Sequence, residues 1–438
     1  MNIKNYESIG VQMPEILLPK KDADFNKWSV VACDQYTSQS EYWQEVYKNV
    51  ENTPSTAHII FPEVYLEESG KEERIKSIQG KTKEYLEQGI FDSHVGFVYV
   101  KRNIKGKMRR GLVVALDLEK YDYNPGSQTL IRATEGTVLK RLPPRMEIRE
   151  GALLESPHIM VLIDDPGKTI IEGLIEYEDR MDKIYDFDLM MNGGHIVGYL
   201  VPENKCDEIA GKLAELANKQ LFQSKYRVGE DKGVLLFAMG DGNHSLATAK
   251  AIWEKNKANV GINHSSRWAL VELVNVHDKA LEFEPIHRVL FNVKKDFWIA
   301  IKDYFGDDFI YSVCESKERM MELVNEGKDE QKFGMIFPRG FGIGKFRKSK
   351  FNLTVGTLQE FLDKFLENGG AEKIDYVHGL DVICDLAKNE GNLGIYLPGM
   401  SKHDLFKTVI VDGVLPRKTF SMGEAEDKRF YLECRKIV

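Results

Sequence analysis

Two hydrophobic periods alternate along the chain, and their order predicts a mixed α/β protein. Short apolar runs mark buried strands at 28–33, "HIIFPEVYL", "HIMVLIDD", "NGGHIVGYLV", 234–239 and "SRWALVELVNV". "HVGFVYVKR" and "RRGLVVALDLEKY" read as a hairpin around the basic "NIKGKM" turn. Between the strands, apolar residues spaced three and four apart predict helices near 41–50, 71–90, 204–223 and 245–254. Ser38 or Ser40 is the expected cap of the first helix. "RATEGTVLKRLPPR" mixes charge with two prolines and reads as a structured loop with short helical pieces.

From about 291 the units shorten. Helix-like "FWIAIKDYF", "KERMMELVNE", "LQEFLDKFLEN", "LDVICDLAK" and "KHDLFKTVI" alternate with strand-like "FIYSV", "FGMIFP" and "LGIYL", and "KRFYLECRKI" reads as a final strand. The glycine-rich "GFGIGKF" reads as a hairpin tip. This places one soft boundary near 290, giving a larger N-terminal part at 1–290 and a smaller C-terminal α+β part at 291–438 that carries a basic loop at 416–419. Alternating elements throughout imply α/β or α+β architecture, with mixed sheets and flanking helices.

Composition narrows the function. A chain of 438 residues with 42% hydrophobic and 29% charged residues has ample material for a large core. Its net charge of −8 disfavours nucleic acid as the main partner. The five cysteines are scattered without a CxxC pair, the start lacks an apolar signal core, and no apolar run approaches the ~20 residues needed to cross a bilayer. These features lead to the expectation of a cytoplasmic protein with no membrane partner.

The most informative stretch is "MGDGNHSLATAK", where an apolar strand meets a helix. A helix start exposes unpaired N–H groups at the positive end of its dipole, so phosphate or carboxylate is its natural guest. Gly240 and Gly242 permit a tight turn, Asp241 or Asn243 can cap, and His244 and Ser245 project near the mouth. A plain capped helix explains the same residues equally well. The region lacks the third spaced glycine of a dinucleotide fingerprint, and "DDPGKTI" has Leu162 where a P-loop needs its first glycine.

Other segments supply charge. "RATEGTVLKRLPPRMEIR" gathers Arg132, Lys140, Arg141, Arg145 and Arg149 around Glu135, a density of guanidinium groups suited to a multiply charged phosphate. A solvated charged loop is the blander alternative. His287 and Arg288 follow Pro285, and Lys418 sits in the loop before the last run. Asp34, Asp164, Asp165 and Asp241 are candidate Mg²⁺ ligands if phosphates bind, because Mg²⁺ uses few protein ligands.

Read together, "VVACDQYTS", "EGTVLKRLPPR", "SPHIMVLIDDP", "DGNHSLATA", "EPIHRVL" and "LPRKTF" resemble, in order, the motifs of domain-of-unknown-function family 1015. The "DGNHS" box also resembles the phosphate-binding box of ParB- and sulfiredoxin-like nucleotide proteins, a fold that includes free-serine kinases. The resemblance implies a ParB/sulfiredoxin-like core that binds ATP or ADP with Mg²⁺ and a small-molecule substrate. Asp241 to Ser245 would cradle phosphate, with Glu135 handling the hydroxyl proton and His244 beside it. Arg132, Arg145, Arg288 and Lys418, with His287, would neutralise charge. The chain departs from the family pattern at Ser245, where arginine is common, and at Thr134, where histidine often stands. The leading expectation is a kinase for the hydroxyl of free L-serine or a similar metabolite. The alternatives are O-phosphoserine dephosphorylation at the same site and a non-catalytic nucleotide-binding module. The oligomeric state is left open.

Overall fold

The computed structural model describes residues 2–37, 39–326 and 330–438, so the cap expected of Ser38 lies outside the described residues. The helix Ser40–Val50 starts with Gln39 at its cap position and no side-chain cap, so Ser40 is its first residue rather than its cap. The chain divides into two compact units, Met1–Leu281 with Met422–Val438, and Glu282–Ser421. The first unit thus takes back the end of the chain, where the sequence pattern suggested one crossing near 290.

In the first unit an 11-stranded sheet runs in the order Asp182–Asp188, His195–Leu200, Val98–Ile104, Lys107–Asp117, Trp268–Asn275, Met160–Ile163, Phe237–Asp241, Ile131–Arg132 and Tyr121–Asp122. Val11–Met13 also pairs with Lys107–Asp117, and Lys4–Tyr6 with Val11–Met13. The expected hairpin forms at Lys105–Gly106, both with positive φ (50° and 81°), the backbone that a two-residue hairpin turn requires. Side chains alternate between the two faces. Tyr99, Leu112 and Val114 join one core with Leu246, Ala249 and Trp253, whereas Val98, Val100 and Val113 join a second core with Trp28, Trp43 and Leu432. The sheet is therefore buried on both faces, and its strands read as nearly continuous apolar runs.

Two segments expected as strands are not. Residues 28–33 enclose the end of a short helix, Phe25–Trp28, and one isolated bridge from Val31 to Phe430. Trp28 is fully buried and donates its indole N–H to the Leu432 carbonyl at 2.9 Å, so its apolarity serves packing. "HIIFPEVYL" forms two 3-10 turns, Thr56–His58 and Glu63–Tyr65, the first capped by Ser55, whose Oγ accepts from the Ala57 amide. Pro62 between them lacks the N–H a ladder needs. The final run keeps only Arg435–Lys436 as a strand, paired with Leu154–Glu155.

The second unit has a seven-stranded sheet in the order Phe309–Cys314, Gly340–Phe346, Gln331–Phe337, Leu393–Tyr396, Glu284–Val293 and Ala371–His378, with Phe420–Ser421 added against Glu284–Val293. "GFGIGKF" is a full strand of this sheet, not a tip. The helix Thr354–Glu367 buries Leu358, Phe361, Leu362 and Phe365, the three-and-four spacing of a core-facing stripe.

Candidate functional site

The corner forms as the sequence suggests. Phe237–Asp241 ends at Gly242, from which the helix Asn243–Val260 begins. Gly242 has φ +78°, and a Cβ there would lie 3.1 Å from the Ile159 Cα. A Cβ on Gly240 would meet the Met422 methyl at 2.9 Å. Backbone conformation and close packing therefore account for both glycines. No side chain caps the first turn. Its amides form the positive helix end, and two buried side-chain oxygens there, Asn243 Oδ1 and Thr137 Oγ1, have no hydrogen-bond partner.

A loop from the basic segment wraps this corner. Thr134 donates its hydroxyl to the Met239 carbonyl at 2.7 Å, and the Val138 amide donates to His244 Nε2 at 3.4 Å. Glu135 lies between these two anchors. Thr134 thus fills a structural role at the position where the family pattern often has histidine.

The neighbouring strand brings a second group. Met160–Ile163 runs antiparallel to Phe237–Asp241 with Met160 opposite Asp241, so the residues before Met160 reach the corner. His158 Nε2 lies 3.1 Å from Ser245 Oγ and 3.8 Å from Asp34 Oδ2. Its Nδ1 is 2.7 Å from the Tyr431 hydroxyl. Lys428 Nζ is 3.1 Å from Asp241 Oδ2. Burial pushes the Asp34 carboxyl up, but His158, a hydrogen bond from Gln35 and the Lys428 charge hold it below the ordinary carboxylate range. Burial, with Cys33 and Asp34 nearby, pushes the Tyr431 phenol well up, so it stays a neutral hydrogen-bonding group.

Buried arginines hold the segment that delivers Lys428 and Tyr431. Arg102 donates to the carbonyls of Lys428 and Glu426, and Arg109 to that of Asp427 at 2.7 Å. Arg429 pairs with Glu272 and Glu433, all three almost inaccessible to solvent. His158, Lys428 and Tyr431 escaped the sequence reading because they come from segments far apart in the chain. Asp34 was visible only as a possible metal ligand.

The other predicted residues fall in different places. Arg145 lines the same pocket as Ser245 and His158, but both its Nε and Nη2 donate to Glu63, at 2.8 and 2.5 Å. Arg132 is anchored by backbone carbonyls, with its buried Nη1 left without a hydrogen-bond partner. It stands opposite Ala238, on the strand leading into the corner, and its guanidinium donates back to the carbonyls of Thr129, Gly233 and Val234. Burial lowers its pKa to about 10. Asp165 accepts from the amides of Thr169 and Ile170 at 2.7 and 2.9 Å, and Asp164 from His277 and Tyr226. Both follow Ile163, whereas Asp241 pairs with Met160 at the other end of that strand, so these two carboxylates stand apart from the corner. No group of three or more His, Cys, Asp or Glu suited to a metal occurs among the described residues.

In the second unit, His287 accepts from the Leu397 amide at 3.2 Å and packs on Tyr396. Arg288 is fully buried and bonds Gln359 and the carbonyls of Ile286 and Arg417. Both have partners within the core of this unit. Lys418 is exposed, with φ 58°.

Residues 17–365 match the model of the family described as "Protein of unknown function (DUF1015)". The chain belongs to this family. No curated protein matches the chain. Among solved structures, a free serine kinase in complex with AMP is similar at 14% identity and TM-score 0.38, covering 77% of this chain and 95% of its own. SbnI with a C-terminal truncation, from Staphylococcus aureus, shows 9% identity and TM-score 0.35 over 71% and 82%. A conserved hypothetical protein from Pyrococcus furiosus shows 13% and 0.35 over 75% and 93%. Likeness at this level assigns neither a ligand nor an activity to this DUF1015 member. No helix among its described residues is long and apolar enough to cross a membrane.

Proposed function

We propose that this DUF1015 chain is a small-molecule phosphotransferase whose corner at Asp241–Ser245 receives the phosphates of ATP or ADP. The observation that supports this most is the pinned loop: Thr134 bonds Met239 and Val138 bonds His244, on either side of Glu135 in the chain, at a helix start without a side-chain cap. Helix-end amides and the Lys428 ammonium would stabilise phosphate charge, and phosphoryl transfer depends chiefly on such positioning. Asp34 and Asp241 flank Lys428 and present carboxylate oxygens of the kind Mg²⁺ takes alongside phosphates. Bound there, Mg²⁺ would neutralise phosphate charge.

In a kinase step the acceptor hydroxyl loses its proton to Glu135 and its oxygen forms a bond to the terminal phosphorus. The bond from that phosphorus to the bridging oxygen breaks, releasing ADP. The acceptors to try are small hydroxylated compounds, free L-serine among them. The test is incubation of the purified chain with Mg²⁺, ATP and a panel of hydroxy compounds, followed by detection of ADP and phosphorylated product. Absence of turnover across the panel contradicts the reading.

One observation favours a second reading, a non-catalytic nucleotide-binding module. Arg145 is neutralised by Glu63 and Arg132 turns to backbone carbonyls, so the guanidinium supply is smaller than the charge run suggested. Nucleotide binding without turnover, unaffected by Glu135→Ala, distinguishes it.

A further inference from the structure

A pocket of 170 Å³ opens beside the corner, with His158, Ser245, Thr248 and Tyr431 at its polar part. The rest of its wall is mixed: Ile60, Phe61, Ile78, Ile148 and Ile159 form an apolar side, and Gln79, Thr82 and Ser156 add polar groups. The charged groups on the wall are neutralised in pairs. Arg145 is held bidentately by Glu63, and Arg149 donates to Glu155 at 2.6 Å, while Glu155 also holds Arg435.

These features set the chemistry of the occupant. A zwitterionic amino acid entering such a pocket loses the hydration of both an ammonium and a carboxylate. Breaking the Arg145–Glu63 pair to receive it would leave the largely buried Glu63 carboxylate uncompensated. An apolar body, by contrast, gains from burial against the isoleucines and Phe61. The volume is slightly above the ~150 Å³ of a cavity that takes benzene. A hydroxyl on that body finds donors and acceptors in Ser245, His158 and Tyr431.

We propose that this pocket binds a neutral alcohol with an apolar body about the size of one aromatic ring, and that such an alcohol, not a free amino acid, is the acceptor class of the site. The word acceptor rests on the phosphotransfer reading above; the binding chemistry does not. With Ser245 common to the corner and the pocket, phosphate would sit at the helix start and the alcohol's apolar body against the helices Lys71–Glu87 and Leu142–Arg149, which carry Ile78 and Ile148.

The experiment uses the full-length protein and 2-phenylethanol as the probe, observed by saturation-transfer NMR, with L-serine as competitor. Two variants fill the pocket from different elements, Ala152→Phe and Ile78→Trp, each checked for an unchanged circular-dichroism spectrum. ADP binding is titrated in parallel. The proposal expects saturable binding of 2-phenylethanol, a loss of at least tenfold in affinity in whichever variant folds, and no displacement by L-serine. Binding of L-serine without binding of the alcohol overturns the pocket assignment and leaves the phosphotransfer reading standing. So does alcohol binding that neither filled variant weakens. Alcohol binding lost in the variants, with no ADP binding to the wild type, overturns the phosphotransfer reading and upholds the pocket assignment.

Discussion

Ser245 Oγ sits 3.1 Å from His158 Nε2, joining the first turn of the corner helix to a residue 87 positions away. The position where the family resemblance led to the expectation of an arginine is here a short hydroxyl paired with a buried imidazole. The positive charge nearest the corner carboxylate comes from Lys428 instead, 3.1 Å from Asp241.

Glu135 is the group on which proton transfer depends in the proposed mechanism. Glu135→Ala is expected to lower turnover by about 10²- to 10⁴-fold, the range of general acid–base catalysis, while ADP affinity stays within about twofold. Steady-state kinetics with parallel calorimetry checks this. A parallel loss of nucleotide binding would assign Glu135 to the binding surface.

Gly242→Ala introduces a Cβ at φ +78° and 3.1 Å from the Ile159 Cα. The left-handed conformation alone costs about 1–2 kcal/mol for a non-glycine residue, and the contact adds to it. Denaturant unfolding should show a loss of at least that size, together with weaker ADP binding as the helix start shifts. Gly261→Ala at the other end of the helix, also at positive φ (+83°) but with nothing within 4 Å of its Cβ, should leave ADP binding unchanged.

Arg429→Leu leaves Glu272 and Glu433 buried without their shared partner. Loss of one member of a buried ion pair costs about 3–5 kcal/mol, so a large drop in the urea midpoint is expected. Because Arg429 adjoins Lys428 in the chain, a loss of nucleotide affinity should accompany the drop. The exposed pair Lys388–Asp385 serves as the comparison, and Lys388→Leu should leave the urea midpoint nearly unchanged.

His287 gives the second unit a pH dependence. Burial, with the Arg288 charge and His378 adding to it, lowers its pKa to about 4 from the usual 6.5. The unfolded chain therefore binds the proton more readily between these values. The stabilisation is present in full above pH 6.5 and is lost as pH falls towards 4, a span worth about 3 kcal/mol. His287→Gln should flatten that part of the profile, measured as the difference from wild type in denaturant unfolding between pH 7 and pH 4.

Local pattern revealed much of the fold. The strands Met160–Ile163 and Trp268–Asn275 and the corner helix are long or apolar enough to announce themselves. Residues 28–33 misled because a fully buried Trp28 and a fully buried strand residue look alike in sequence. The final run failed as a strand because Arg429, Glu433 and Arg435 are held by buried side-chain pairing, not by a long ladder. At the site, the Gly240–Ser245 corner and the Glu135 loop were legible as local motifs. The meeting of Asp34, His158, Lys428 and Tyr431 was not, since it depends on an antiparallel register and a returning C-terminus. Arg132 shows the converse: a charge run does not say which guanidinium groups turn inward to carbonyls.

The central claim, that the corner receives a nucleotide's phosphate, is tested most directly by NMR of protein labelled with ¹⁵N only at its ten histidines. The His244 amide is identified by its absence in His244→Asn. Titration with ADP and Mg²⁺ should shift that signal saturably, with no matching shift in Gly242→Ala. Saturable ADP binding that leaves the His244 amide unmoved would contradict the account.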